Sequence, residues 1–200
     1  EIIGAEHILA RRARGEEVKE KLLKMVARME KRSETMGVNI RDANPSPGNI
    51  AGGLTTLEEK SLGAIYKGGT NLLEGALEYA EDIPKRAGLF FMDTPGYDVE
   101  SMIGMVAGGA QLVVFTTGLG TPVGTPIAPV IKVTGNSETY QRMSDNTDVN
   151  VGTIIEGLED IKEAGSRIYA EVLSVASGKM TKAETLGHKE FGMLKLSPSC

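Results

Sequence analysis

Between Leu89 and Asn136 the chain runs three apolar stretches, and each one empties into a loop of Gly, Pro and small polar residues. Leu89-Phe90-Phe91-Met92 leads to Asp93-Thr94-Pro95-Gly96, and Gln111-Leu112-Val113-Val114-Phe115 leads to Thr116-Thr117-Gly118-Leu119-Gly120. Ala128-Pro129-Val130-Ile131-Lys132-Val133 leads to Thr134-Gly135-Asn136. Short continuous apolar runs rich in β-branched residues suit strands buried on both faces, the usual state in a parallel sheet. Helical patterns between the runs then predict an α/β fold with a mainly parallel sheet. In such sheets ligands bind beyond the carboxyl ends of the strands, so the three loops predict one polar edge.

The helical frame is set by periodicity and caps. Residues from Glu6 to about Met36 read as one long N-terminal helix, which Gly15 weakens and divides. Residues 1–40 are therefore expected as a helical extension, and 41–200 as the α/β catalytic-type domain. The prolines of Asp42-Ala43-Asn44-Pro45-Ser46-Pro47-Gly48-Asn49 predict a loop without regular structure. Thr56 with Glu59 marks a helix start near Leu57, and Thr181 with Glu184 marks another. A short helix is expected over Leu72–Tyr79, one capped by Asp98 through Val106, and a longer one over Val151–Ser177. Ile154, Ile155, Leu158, Ile161, Ile168 and Val172 form the buried side expected of that last helix.

Composition narrows the partners. A net charge of −5 argues against a nucleic-acid partner held by phosphate neutralisation. No apolar run is long enough to cross a membrane. The single cysteine, Cys200, fits a reducing cytoplasm. The first residue is Glu, not Met, and the expectation is a cropped or processed piece. Glycine, at 25 residues, exceeds the roughly 7% typical of proteins and gathers at element ends. There it serves tight turns, or backbone amides that face an anion.

Asp93-Thr94-Pro95-Gly96 first suggests a nucleotide-hydrolysing switch, but the chain has no Gly-x-x-x-x-Gly-Lys-[Ser/Thr] phosphate loop. An aspartate at a strand's carboxyl end can bind a hard metal or act as a base; its plainer role is to cap the next turn. Asn44, Ser46 and Asn49 offer hydrogen bonds to hydroxyls and carboxylates, though Asn-Pro and Ser-Pro are also ordinary turn formers. Thr94, Thr116, Thr117 and Thr121 follow strands and raise the same choice. Lys132, inside an apolar strand, needs an anion or a carboxylate partner. Asp145, Asn146, Asp148 and Asn150 form a polar cluster with either a capping or a network role. His7 and His188 are the only histidines. Each adjoins acidic residues, Glu6-His7 and His188-Lys189-Glu190, which suits acid–base or metal chemistry.

Longer strings carry a resemblance. Asn44-Pro45-Ser46-Pro47-Gly48-Asn49, Gly52-Gly53-Leu54-Thr55-Thr56-Leu57-Glu58-Glu59-Lys60-Ser61-Leu62-Gly63, and Met92-Asp93-Thr94-Pro95-Gly96-Tyr97-Asp98 resemble the altronate/galactarate dehydratase family. So do Val106-Ala107-Gly108-Gly109-Ala110, Phe115 through Asn136, Asp145-Asn146 through Ile154, and Ala176-Ser177-Gly178-Lys179 to Phe191. The resemblance implies a hydro-lyase acting on sugar acids, with a Rossmann-like three-layer domain, of which this chain is the C-terminal part. A sister branch releases sulfite from sulfolactate. It further implies a divalent metal, Fe2+ or alternatively Mn2+, and a missing N-terminal part or small subunit as partner. Homo-oligomerisation is expected as well. On this reading Asp93, His7 and His188 are the catalytic candidates. Glu6, His7 and Asp93 are the metal candidates, and Asn44, Ser46, Asn49, Thr94, Thr116, Thr117 and Lys132 would bind substrate. A non-catalytic binding or assembly domain is the competing expectation.

Overall fold

Gly15, at φ +90°, stops the first helical segment and opens the second, in a computed structural model that describes residues 1–194. Helix α1 (Glu6–Ala10) is therefore short, and α2 (Glu16–Thr35) carries most of the expected N-terminal helix. The compact unit they belong to runs from Glu1 to Asp93 rather than ending near residue 40. The reason is packing. Leu22, Met25 and Val26 of α2 bury against Ile2, Leu9, Ile65, Leu73 and Ala76. Full burial of one such side chain stabilises by about 1.5–3 kcal/mol, so α2 is held by this core and not by propensity alone.

The proline-rich segment forms two short helices, α3 (Ile40–Ala43) and α4 (Pro47–Ala51), where a loop was expected. Pro47 sits at the start of α4, where a missing N–H costs nothing. Helix α5 (Leu57–Lys67) begins as its caps require, with Thr56 accepting from the Glu59 amide. The Glu59 carboxylate reaches back to Thr55 instead, so the reciprocal bond is displaced by one residue.

Residues 72–79 were expected to be helical, and they are not. Leu73–Leu77 is a strand, β1, paired in parallel with β2 (Leu89–Met92). Leu, Glu and Ala favour helix locally, but Gly75 weakens it. Tertiary bonds decide the outcome: Leu73 donates to Arg12 O at 2.7 Å and accepts from the Arg14 amide at 2.9 Å. Gly75 also lies against Phe90, where a Cβ would come within 3.1 Å of the ring.

The second compact unit starts at Thr94. Helix α6 (Asp98–Ala107) takes Tyr97 as its N-cap, placing Asp98 in the first turn. Strands β3 (Val113–Thr117) and β4 (Val130–Thr134) are parallel, and β4 is buried along its whole length. Asn136 caps α7 (Ser137–Arg142), accepting from the amides of Glu138 and Thr139 at 2.9 and 3.2 Å. Strand β5 (Val149–Asn150) adds in parallel to β4. A 3-10 turn (Gly152–Ile154), α8 (Ile161–Ala176) and α9 (Lys182–Leu186) follow.

Side chains alternate across β4. Val130 packs with Met102 and Val106 of α6, while Ile131 and Val133 pack with Val175 of α8. Helices thus cover both faces of the β3-β4-β5 sheet, the three layers of a mixed α/β unit.

Two expectations change here. Among the described residues the three apolar runs do not share one sheet, because β2 pairs with β1, whereas β4 pairs with β3 on one side and β5 on the other. The order β3-β4-β5 follows the chain without reversal, so the switch point of a doubly wound sheet is absent among the described residues. The long helix expected over 151–177 is also shorter. Gly157 (φ +72°) interrupts it, and Asp160 and Glu163 form a capping box that starts α8 afresh. Ile155, Leu158 and Ile161 consequently face solvent. Among the described residues no helix is long and apolar enough to cross a membrane.

Candidate functional site

In the first unit the parallel strands deliver two carboxylates at their carboxyl ends, Glu78 after β1 and Asp93 after β2. Arg28 of α2 joins them. Its guanidinium donates to Glu78 at 2.5 and 3.1 Å and to Asp93 at 2.7 Å. Those bonds, Glu78 first, raise the arginine above its ordinary pKa. The turn beyond β1 is tied down as well, since Glu81 accepts from the Glu78 amide at 2.7 Å and pairs with Lys21 at 3.2 Å.

The other candidates of this unit lie apart from that clamp. Glu6 accepts from the Gly4 amide at 2.6 Å, and His7 is exposed on α1. Asn44 accepts from Lys60 at 3.1 Å and donates to Ile40 O at 3.4 Å. Ser46 donates to Asn49 Oδ1 through its hydroxyl at 3.0 Å and its amide at 3.4 Å. These bonds fold the 39–51 segment on itself. Glu6, His7 and Asp93 are not assembled as metal ligands, and no group of three His, Cys, Asp or Glu side chains fit to hold a metal occurs among the described residues. Asp93 already faces a guanidinium, which a cation would have to displace. The residues present therefore do not fit a metal site by themselves.

In the second unit Thr94 shares a hydrogen bond with Ser101 at 2.8 Å. At the carboxyl end of β3, Thr116 is exposed and Thr117 accepts from the Gly120 amide at 3.0 Å. Gly120 has φ +84°, and a Cβ there would meet Met143 Sδ at 2.3 Å.

Lys132 departs from its expected role. It lies mid-strand, fully buried, and its ammonium donates to the carbonyls of Pro122 at 3.0 Å and Val123 at 3.4 Å. It has neither a strand-end anion nor a direct side-chain bond to a carboxylate. Burial pushes it below the ordinary lysine pKa, opposed by the charges of Asp148 and Glu190. The cation thus fastens the loop after β3 to the sheet.

Asp148 takes the network role. Its two oxygens accept from the Lys132 amide at 2.7 Å and the Lys182 amide at 2.9 Å, stapling β4 to the start of α9. Beyond α9, His188 Nδ1 lies 3.3 Å from Glu190 Oε1, and Glu190 Oε2 accepts from the Gly124 amide at 2.8 Å. Burial alone would raise Glu190, but the Gly124 amide, its own amide and His188 together hold it below the ordinary carboxylate value. One chain of contacts therefore joins Lys132, the 122–124 loop, Glu190 and His188. Sequence reasoning named Lys132 and His188 separately and missed Glu190 as the link, although the His188-Lys189-Glu190 spacing carried it.

A cavity of about 420 Å³ opens beside β5, lined by Tyr140, Asn150, Thr153, Glu159, Arg167 and Glu171 among others. Arg167 is spent on Glu159 and on Asn150 O, and Thr153 also donates to Glu159. Arg167 and Glu159 gave no sequence signal beyond the charges common on any helix surface.

Comparison with known proteins supplies the context. The family model described as D-galactarate/Altronate dehydratase, C-terminal, matches residues 1–199. The chain belongs to this family. Galactarate dehydratase (L-threo-forming) of Escherichia coli is 41% identical over 90% of the chain, and altronate dehydratase of Bacillus subtilis is 36% identical over 98%. The (2R)-sulfolactate sulfo-lyase subunit beta of Chromohalobacter salexigens is 38% identical over 100%. The chain spans 34%, 39% and 51% of these three relatives respectively, so it corresponds to one part of each.

Proposed function

We propose that the chain forms part of a sugar-acid dehydratase of the altronate or galactarate type, yielding a 2-keto-3-deoxy acid. The observation that carries this reading is the family match along the chain, together with relatives named for these two dehydrations. In the reaction a base removes the proton α to the carboxylate, an acid assists departure of the β-hydroxyl, and the enol tautomerises to the keto acid. His188 is the acid–base candidate best supported by geometry, because a carboxylate stands at its Nδ1. Asp93, balanced by Arg28, is the second candidate. Thr94, Thr116 and Thr117, with Asn44, Ser46 and Asn49, remain the proposed contacts for hydroxyl and carboxylate groups. No step here passes through a metal, since the described residues do not form a ligand set for one.

The sulfo-lyase branch is a second reading, supported by the relative that matches along the entire chain. It shares α-proton removal and differs in losing sulfite rather than water. The test is to incubate the full-length protein with altronate, galactarate and (2R)-sulfolactate, after chelation and with Fe2+ or Mn2+ restored, while measuring 2-keto acid and sulfite. Keto acid from altronate or galactarate without sulfite supports dehydration. Sulfite from sulfolactate alone moves the assignment to the second reading, and neither product from any substrate refutes both.

A further inference from the structure

The contacts around His188 do more than place a histidine near an acid. Glu190 divides its two oxygens: Oε2 is fixed by the Gly124 amide at 2.8 Å, and Oε1 lies 3.3 Å from His188 Nδ1. A carboxylate at Nδ1 selects the tautomer with its proton there, leaving Nε2 free to take or give one. The anchor is itself anchored. Lys132 holds the carbonyls of Pro122 and Val123, the two residues just before Gly124, and is locked in a strand buried along its length. Gly124 must be glycine for this seat, because a Cβ there would stand 2.6 Å from His188 O and 3.1 Å from His188 Cβ. The His188 amide is also tied back to Ala183 O of α9 at 2.9 Å.

We infer that Glu190 is a positioning residue that sets the tautomer and orientation of the His188 imidazole, held in place by the Gly124 amide and the Lys132-braced loop. This rests on the reading of His188 as an acid–base group, and it adds Glu190, Gly124 and Lys132 as the support of that group. Lys132, Asp148 and Glu190 are the charged groups of this network, and Glu190 is the one that meets the His188 ring.

The test uses the full-length protein with Glu190→Gln, Glu190→Asp and His188→Asn variants. Two quantities are read: kinetics, as kcat and KM, and the tautomer of His188 from its ring-nitrogen NMR shifts on histidine-labelled protein, assigned by loss of its signal in His188→Asn. Glu190→Gln should lower kcat by about 10–100-fold with little change in KM, as for other groups that orient a reacting side chain. It should also weaken the preference of His188 for the tautomer protonated at Nδ1, and Glu190→Asp should recover part of both effects. A Glu190→Gln protein that loses stability yet leaves the His188 tautomer unchanged makes the contact structural only and overturns the inference. If His188→Asn keeps full activity, the acid–base reading of His188 fails, and with it the catalytic part of this inference. The tautomer read by NMR then decides the Glu190 contact on its own. Should Glu190→Gln fail to fold, Glu190→Asp carries the same two measurements.

Discussion

Replacing Asp148 by alanine tests whether the second unit is stapled as its hydrogen bonds imply. The carboxylate accepts from the Lys132 amide at 2.7 Å and the Lys182 amide at 2.9 Å, so it joins the central strand β4 to the first residue of α9. A hydrogen bond to a charged group contributes about 1.5–3 kcal/mol, and a buried donor left unpaired costs about 1–3 kcal/mol. Water can reach the Lys182 amide more readily than the Lys132 amide, because Lys132 is fully buried. The sum is therefore about 3–5 kcal/mol for Asp148→Ala. Asp148→Asn keeps one acceptor oxygen and should cost about half of that. For a chain of this size about 1 kcal/mol moves Tm by about 2–4 °C, so Asp148→Ala should lower Tm by about 6–20 °C. Asp145→Ala, at an exposed aspartate in the same segment, is the control and should stay within about 0.5 kcal/mol. Urea unfolding gives the energies, and hydrogen exchange should show lost protection at the Lys132 and Lys182 amides. Equal stability losses for Asp148→Ala and Asp145→Ala would refute the staple.

Gly120→Ala should destabilise by about 1–3 kcal/mol, since φ is +84° and the new Cβ would meet Met143 Sδ at 2.3 Å. Adding Met143→Ala should relieve the clash but not the backbone strain, so in urea unfolding a full rescue would contradict this. Asp160→Ala removes the N-cap of α8 and should cost about 1 kcal/mol by the same measurement; a loss below about 0.3 kcal/mol would mean the cap is not engaged. Glu190, held below its ordinary pKa, binds fewer protons folded than unfolded in the acid range. Its contribution is therefore fully present above the ordinary glutamate pKa and lost as pH falls through the lowered folded value. Stability curves from pH 7 to pH 3 should be less steep for Glu190→Gln than for the parent, and identical slopes would contradict the assignment.

What the sequence made legible was local, and what it concealed depended on distant partners. Leu89–Met92 is apolar along its length and Val130–Thr134 is apolar but for Lys132 and Thr134, and both form strands close to where periodicity put them. Leu73–Leu77 is a strand only because Arg12, Arg14 and β2 supply its hydrogen bonds, and its own residues favour helix. Assigning Asp93 and Thr116 to one sheet edge failed for the same reason, since apolar runs state that strands exist and not which strands pair. Among the candidate residues, His188 could be found as a histidine beside acids. Lys132 could be found as a charge inside an apolar run, but its partners are main-chain carbonyls, which no residue pattern announces.

The strings behind the family resemblance acquire a physical content from this. Phe115 through Asn136 contains Gly120 and Gly124, and both are glycines because a Cβ would strike Met143 or the His188 backbone. Thr117 and Asn136 serve turn and cap, and Lys132 braces the loop between them. The stretch from Ala176 to Phe191 contributes the Thr181–Glu184 capping box, the amide of Lys182 that Asp148 holds, and the pair His188 and Glu190. Many of the distinctive residues of these two stretches are thus explained by the folded network. Thr116 is exposed and the His188 ring is partly open to solvent, so both can be reached by a ligand. If the family signature encodes chemistry as well as folding, those two positions should carry it. Thr116→Val and His188→Asn in the full-length protein should then impair turnover while leaving Tm within about 2–4 °C, the change that about 1 kcal/mol produces. Loss of Tm in step with loss of turnover would instead return both residues to the fold.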